Sequence, residues 1–180
     1  MQGIIFNALE EFVLETADME VWNSILESNE LKSGGIYTSG VNYEDAEIVS
    51  LATTLCEKLG IPLVDGLKLF GKYLFGFLLS RGPIELADYS NAQALLENLE
   101  TVVHRDVKRI HPDAYTPFFV YTPVNENEGE LSYSSKRKLC FVAEGLLHGA
   151  AEHYGQSVQM THFECMHDGS ESCKWKVIFS

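Results

Sequence analysis

The sequence predicts an α+β fold, with a helical N-terminal part followed by a ββαββ C-terminal part whose strands form an antiparallel sheet. Three observations carry this. Apolar residues recur at helical spacing through the first two-thirds of the chain. After Pro117 the pattern changes to short β-rich runs, Phe118-Phe119-Val120-Tyr121 and residues 131–135, divided by a polar turn at 125–129. Helical spacing then returns over 139–153, and two more strand-like runs follow at 158–163 and 174–179.

Taken in order, Ile5, Ala8, Leu9, Phe12 and Val13 share one face of a first helix that fades near Thr16. Val21, Trp22, Ile25 and Leu26 mark a second, short helix that stops before Gly34-Gly35. Asn42 reads as the N-cap of a third, with Asp45 in its first turn and Ala46, Val49, Ala52, Leu55, Cys56 and Leu59 along it. Gly60 ends that helix, and Pro62 suits the first turn of the next. The fourth helix, to about Leu79, is apolar almost all round and so expected to be buried, with Gly71 and Gly76 letting a neighbour approach closely. Gly82-Pro83 is expected to stop it. Residues 91–110 supply further helix with a break near Glu100, and Pro112 closes the helical half. His167-Asp168-Gly169-Ser170 separates the last two strands. No repeat, low-complexity tract or linker interrupts the chain, so residues 1–180 read as one domain.

Composition narrows the function. A chain of 180 residues, 46% hydrophobic, can bury about two-thirds of its unfolded surface and build a real core. A net charge of −13 argues against duplex nucleic acid and against an anionic membrane surface as partners. No basic segment precedes the first apolar residues, and Lys68 and Lys72 interrupt the longest apolar region, so neither a secretory signal nor a membrane span is expected. A cytoplasmic location follows as the expectation. No nucleophile–base pair or open catalytic metal site is visible, so an enzyme is not expected.

The most informative stretch is Tyr133-Ser134-Ser135-Lys136-Arg137. In an extended segment alternate residues share a face, which would place Tyr133, Ser135 and Arg137 in one row. All three donate hydrogen bonds to oxyanions, and a guanidinium can grip a carboxylate through two nitrogens. Upstream, His104 follows Val102-Val103 and precedes Val107, so one helix face around it can be apolar. A histidine on such a face plus a carboxylate clamp on another element is what a heme needs. The chain offers other histidines: His111 before Pro112, His148 and His153 on the later helix, and His162 and His167 beside cysteines.

Cys140, His162, Cys165 and Cys173 form a second constellation. The spacing His162-x-x-Cys165 suits a chelating pair, and a Cys₃His set would close a tetrahedral structural zinc site, with His167 as the substitute for His162. The rival reading is buried or redox-active thiols without metal. Cys56, on a helical face far away in sequence, reads as a core thiol.

With these motifs in order, the chain resembles the heme–nitric oxide/oxygen binding (H-NOX) domains, which are also the sensor domains of soluble guanylate cyclases. The resemblance runs over the whole chain: Met1-Gln2-Gly3-Ile4-Ile5-Phe6-Asn7, Val103-His104, Tyr115-Thr116-Pro117 and Tyr133-x-Ser135-x-Arg137. It implies heme b between the helical and sheet parts, ligated by His104, with propionates on Tyr133, Ser135 and Arg137. It implies that Pro117 contacts the heme face and helps hold the macrocycle out of plane, a lever on iron reactivity. Oxygen-binding members carry a distal tyrosine at the position that is Val142 here. Ile5, Val142 and Leu146 would form an apolar distal wall, which points to nitric oxide, with Tyr73 the alternative donor to check. The resemblance implies a stand-alone sensor that signals to a separate protein, a histidine kinase (two-component signalling) or a diguanylate cyclase. Some bacterial members carry a zinc site such as the Cys₃His set, which supports that reading. The alternatives are an oxygen sensor on the same fold, or a heme-free zinc-stabilised small-molecule-binding or thiol redox-sensing domain. The Cys165-to-Cys173 end also resembles that of vinyl-4-reductase-type domains.

Overall fold

The computed structural model describes residues 1–81 and 89–180. The stop expected at Gly82-Pro83 lies outside the described residues. Helix α1 (Gly3–Thr16) buries Phe6, Ala8, Leu9, Phe12 and Val13 on one face, as the spacing demands. Helix α2 (Met19–Glu27) is capped by Asp18, whose carboxylate accepts from the Val21 N–H. Helix α3 (Asp45–Leu59) ends at Gly60 in the left-handed conformation (φ 67°), which suits a residue without a Cβ.

Asn42 does not cap α3. Glu44 precedes the helix without a side-chain cap, and Asn42 instead forms an isolated antiparallel bridge with Gln2. The chain start therefore competes for this segment, a long-range pairing that local capping rules do not see.

Helix α4 (Leu63–Arg81) packs along α7 (Cys140–His153), and the closeness of that packing has a specific cause. A Cβ at Gly71 would sit 2.2 Å from the Val142 carbonyl oxygen, and one at Gly145 would sit 2.1 Å from that of Lys68. The two backbones meet glycine on glycine. Gly76, expected to do the same work, faces open space.

Helix α5 (Ala92–Asn98) begins at Asn91, whose side chain accepts from the Ala94 N–H. It runs into a π-helical turn (Leu99–His104) and then α6 (Arg105–Ile110). The break expected near Glu100 is thus a widened turn rather than an interruption. Such turns re-aim the side chains they carry and recur at functional sites.

Strands β1 (Phe118–Pro123), β2 (Glu128–Ser134), β3 (Val158–Glu164) and β4 (Cys173–Phe179) form one antiparallel sheet in the order β1-β2-β4-β3. A 3₁₀ turn (Met166–Asp168) lies between β3 and β4. On β2 and β4 alternate residues are buried, including Leu131, Tyr133, Trp175 and Val177. These residues pack with the inner face of α7 and with α5 in one apolar cluster, while α1–α4 build another around Phe6, Leu9, Leu51 and Phe70. The architecture is therefore a helical N-terminal part joined to a sheet-bearing C-terminal part, as the sequence predicts. Among the described residues no helix is long and apolar enough to cross a membrane.

Candidate functional site

Between the two apolar clusters lies a cavity of about 550 Å³. That volume falls within the range of small-molecule and cofactor sites. Its lining brings together Ile5, His104, Pro117, Tyr133, Ser135, Arg137, Val142 and Leu146, which the sequence scatters over more than half the chain.

The wall from α1, α4 and α7 is apolar but for Arg81 at the end of α4: Ile5, Leu9, Phe70, Leu74, Val142 and Leu146. Tyr73 does not belong to it. It lies outside the cavity lining, and its hydroxyl donates to Glu15 Oε1 at 3.1 Å. Burial and the neighbouring carboxylates raise its pKa, so the hydroxyl keeps its proton.

His104 closes the π-helical turn, and its side chain is 13% exposed. Burial pushes its pKa down, against the pull of the Glu100 carboxylate, so the imidazole is held in the neutral form that a metal needs. Nδ1 lies 2.7 Å from Glu100 Oε1, which leaves Nε2 as the nitrogen free of that contact.

The clamp is not the straight row that alternation suggests. β2 ends at Ser134, and the chain then turns, with the Lys138 N–H donating to the Ser135 carbonyl and Lys138 at φ 51°. Tyr133 remains on the strand, while Ser135 and Arg137 reach the cavity from the turn. The Tyr133 hydroxyl accepts from the Leu139 N–H at 3.0 Å, and burial pushes its pKa up to about 12, so it stays a proton donor. Arg137 Nη1 donates to the Tyr115 carbonyl at 2.9 Å, and its guanidinium lies 4.7 Å over the Tyr115 ring. Arg137 Nε lies 2.9 Å from Asp45 Oδ1 without the alignment of a true hydrogen bond, so this is a charge contact. Burial alone would raise the Asp45 carboxyl; the terminal amine of Met1 and Arg137 outweigh it and hold Asp45 below its usual range. Asp45 and Tyr115 thus position the clamp from the helical and loop regions. No local pattern marks Asp45 for that task, because its partner lies far along the chain. Glu100 is read from sequence only as the place of a helix break, although a local signal marks it: it stands one helical turn before His104.

A second group forms where α7 meets the last two strands. The sulfurs of Cys140, Cys165 and Cys173 all lie within 4.8 Å of one another. Cys140 and Cys173 are buried, and burial raises the pKa of both thiols. The structure does not bring His162 into this group. Strand pairing sets it opposite Trp175, and its ring stacks there with centroids 4.5 Å apart. His167, the substitute, stacks on Phe141 and places Nε2 2.9 Å from the Lys138 carbonyl. The set is therefore three thiols without the expected imidazole.

Fold and site together define a ligand-binding sensor class, and the comparisons with known proteins agree. The family model for haem-NO-binding proteins matches residues 2–162. The chain belongs to this H-NOX family, whose members bind heme and act as gas sensors rather than catalysts. It is similar to the crystal structure of an H-NOX protein from S. oneidensis in the Fe(II)NO ligation state, at 35% identity and a TM-score of 0.93. That match covers 100% of this chain and 99% of that one. An Fe(II) unliganded H-NOX protein from K. algicida matches at 27% identity and a TM-score of 0.90, covering 100% and 97% of the two chains. The IWP-051-bound H-NOX from Shewanella woodyi, in the Fe(II)CO ligation state, matches at 30% identity and 0.84, covering 99% and 94%. None of the curated proteins compared with the chain matches it.

The residues present fit a heme. The cavity lining is mostly apolar, with His104 and the clamp among its polar groups, and Thr116 Oγ1, in that lining, is buried with no hydrogen-bond partner. A buried hydroxyl left in that state is costly unless a bound group satisfies it.

Proposed function

We propose that this protein is a nitric oxide sensor that holds ferrous heme b through His104 and reports to a separate signalling protein. The observation that carries the reading is the contrast within one cavity: a neutral imidazole and a cationic clamp facing an apolar wall without a hydroxyl. When bound, the heme supplies a ferrous iron whose open position takes diatomic gases. His104 would ligate that iron from the π-helical turn. Tyr133, Ser135 and Arg137 would hold the propionates, with Asp45 and Tyr115 fixing the guanidinium. Pro117, next to the orphaned Thr116 hydroxyl, would press on the heme face.

Ile5, Val142 and Leu146 would exclude water from the gas side and offer no hydrogen bond. Bound dioxygen carries partial negative charge and gains from a donor, whereas nitric oxide binds ferrous iron without one. The apolar wall therefore favours nitric oxide, and Tyr73, which lies outside the cavity lining and donates to Glu15, adds no donor to that wall. A gas bound in this cavity, which lies between the helical and sheet parts, would bias a two-state shift of one part against the other.

Cys140, Cys165 and Cys173 would hold a zinc ion that ties α7 to the last two strands. We read residues 1–180 as one sensor domain acting in the cytoplasm on a histidine kinase or diguanylate cyclase. The net charge of −13 favours a protein partner over nucleic acid or an anionic membrane. The test is an absorption spectrum of the reduced protein with and without nitric oxide. A Soret band that shifts on adding the gas supports the reading, and protein that takes up no heme overturns it.

A further inference from the structure

Glu100 is a charged side chain beside His104 that neither the clamp nor the gas side uses. It sits in the π-helical turn, 22% exposed, and its Oε1 makes two contacts. One is the 2.7 Å approach to His104 Nδ1; the other accepts the backbone N–H of Phe119 on β1 at 3.0 Å. A single carboxylate oxygen thus joins the candidate ligand to the first strand. Phe119 in turn pairs with Tyr133 across β1 and β2, and its ring lies 5.1 Å from the Tyr133 ring. The path from His104 to the clamp is therefore His104–Glu100–Phe119–Tyr133, through hydrogen bonds, strand pairing and ring contact.

We propose that Glu100 is the positioning residue of the His104 ligand, fixing its tautomer and orientation and strengthening its hold on iron. The inference rests on the reading of His104 as the ligand. The chemistry follows from the contacts. A neutral imidazole carries one N–H, and a carboxylate facing Nδ1 draws that proton there, so Nε2 keeps the lone pair. A charged acceptor makes a hydrogen bond roughly twice as strong as a neutral one, and this one lies where little water competes. Electron density pushed into the ring raises its basicity toward a metal, the role carboxylates play behind ligating histidines in general. The Phe119 N–H pins the carboxylate, so it cannot swing away, and rotation of the imidazole is felt at the β1 backbone. The widened turn serves this arrangement, because it aims Glu100 and His104 at each other while their neighbour Val103 stays in the core.

The experiment uses the full heme-loaded chain and reads the iron–histidine stretching band of the ferrous state by resonance Raman. Glu100→Gln should lower the band frequency and Glu100→Ala lower it further. The ferric/ferrous midpoint potential should move positive in both, since a negative charge has gone. Heme loss to an acceptor protein should accelerate by about 10-fold in Glu100→Ala, the lower end of effects seen when such partners are removed. A band and potential at wild-type values in Glu100→Gln and Glu100→Ala overturn the proposal. If Glu100→Ala does not fold, the near-isosteric Glu100→Gln decides alone. His104→Gly separates the two readings. A band that persists in it overturns the ligand assignment itself. A band lost there yet unmoved by Glu100→Gln overturns only the role of Glu100.

Discussion

The gas-side wall and the ligand-and-clamp wall of the cavity are built by different physics. Ile5, Leu9, Phe70, Val142 and Leu146 are apolar and are placed by helix packing, which Gly71 and Gly145 tighten until backbones touch. His104, Tyr133 and Arg137 are polar and are placed by hydrogen bonds and charge from Glu100, the Leu139 amide, Tyr115 and Asp45. The difference separates two tasks. Directional bonds can hold a cofactor of defined shape at fixed points, whereas a close-packed apolar wall sets which small molecule is tolerated without offering it a bond. Substitutions on the polar wall should therefore cost cofactor, and substitutions on the apolar wall should alter packing or selectivity while the cofactor stays.

Removing the ligand should have the largest effect. His104→Gly is expected to fold but to purify without heme unless imidazole is supplied, read as Soret absorbance per chain. Full heme retention would place the ligand elsewhere. Next comes the clamp: Arg137→Ala should lose heme faster on dilution than Ser135→Ala, because the guanidinium brings charge to the carboxylate. Equal heme content in the two variants after desalting would mean that charge is not what holds the propionates.

Behind the apolar wall, where α4 and α7 meet, Gly145→Ala should destabilise the fold by about 1–3 kcal/mol, the usual range for overpacking a close contact. The added methyl would meet the Lys68 carbonyl oxygen, so α4 and α7 must part. Thermal unfolding measures this, and an unchanged midpoint would show that the helices have room to spare. Away from both walls, Cys173→Ala should lower zinc content and thermal stability together, since metal bound only by the folded chain stabilises it. His162→Ala should leave zinc content as it is, because the ring stacks on Trp175 outside the thiol group. Elemental analysis of the two variants checks both, and loss of zinc in His162→Ala would restore the imidazole to the site. The smallest effect belongs to Val142→Tyr, which should keep heme yet not by itself give a stable oxygen complex, since the new hydroxyl has no neighbour to aim it.

Much of this was legible in the sequence because it is local. Helical spacing gave α1 its buried face, alternation gave β2 and β4 theirs, and Gly60 marked a left-handed helix end. The residues expected to hold heme all line one cavity; being far apart in sequence, they were legible through the family resemblance rather than through any local pattern. What was not legible depends on distant partners. Asn42 has a good capping side chain, but it pairs with Gln2 at the chain start. Asp45 looks like an ordinary first-turn acid until the fold sets Arg137 beside it. Gly71 and Gly76 are alike in sequence, and only the position of α7 decides that one meets backbone and the other open space. His162 has chelating spacing to Cys165, but strand register turns its ring onto Trp175.

The central claim, that an apolar gas side opposite a histidine ligand selects nitric oxide, is tested most directly by the absorption spectrum of ferrous protein in air and then under nitric oxide. The account predicts no lasting oxygen complex in air, because nothing on the apolar wall stabilises bound oxygen, and a shifted Soret band once nitric oxide is added. A long-lived oxygen complex at room temperature would contradict it and make the protein an oxygen sensor on the same fold.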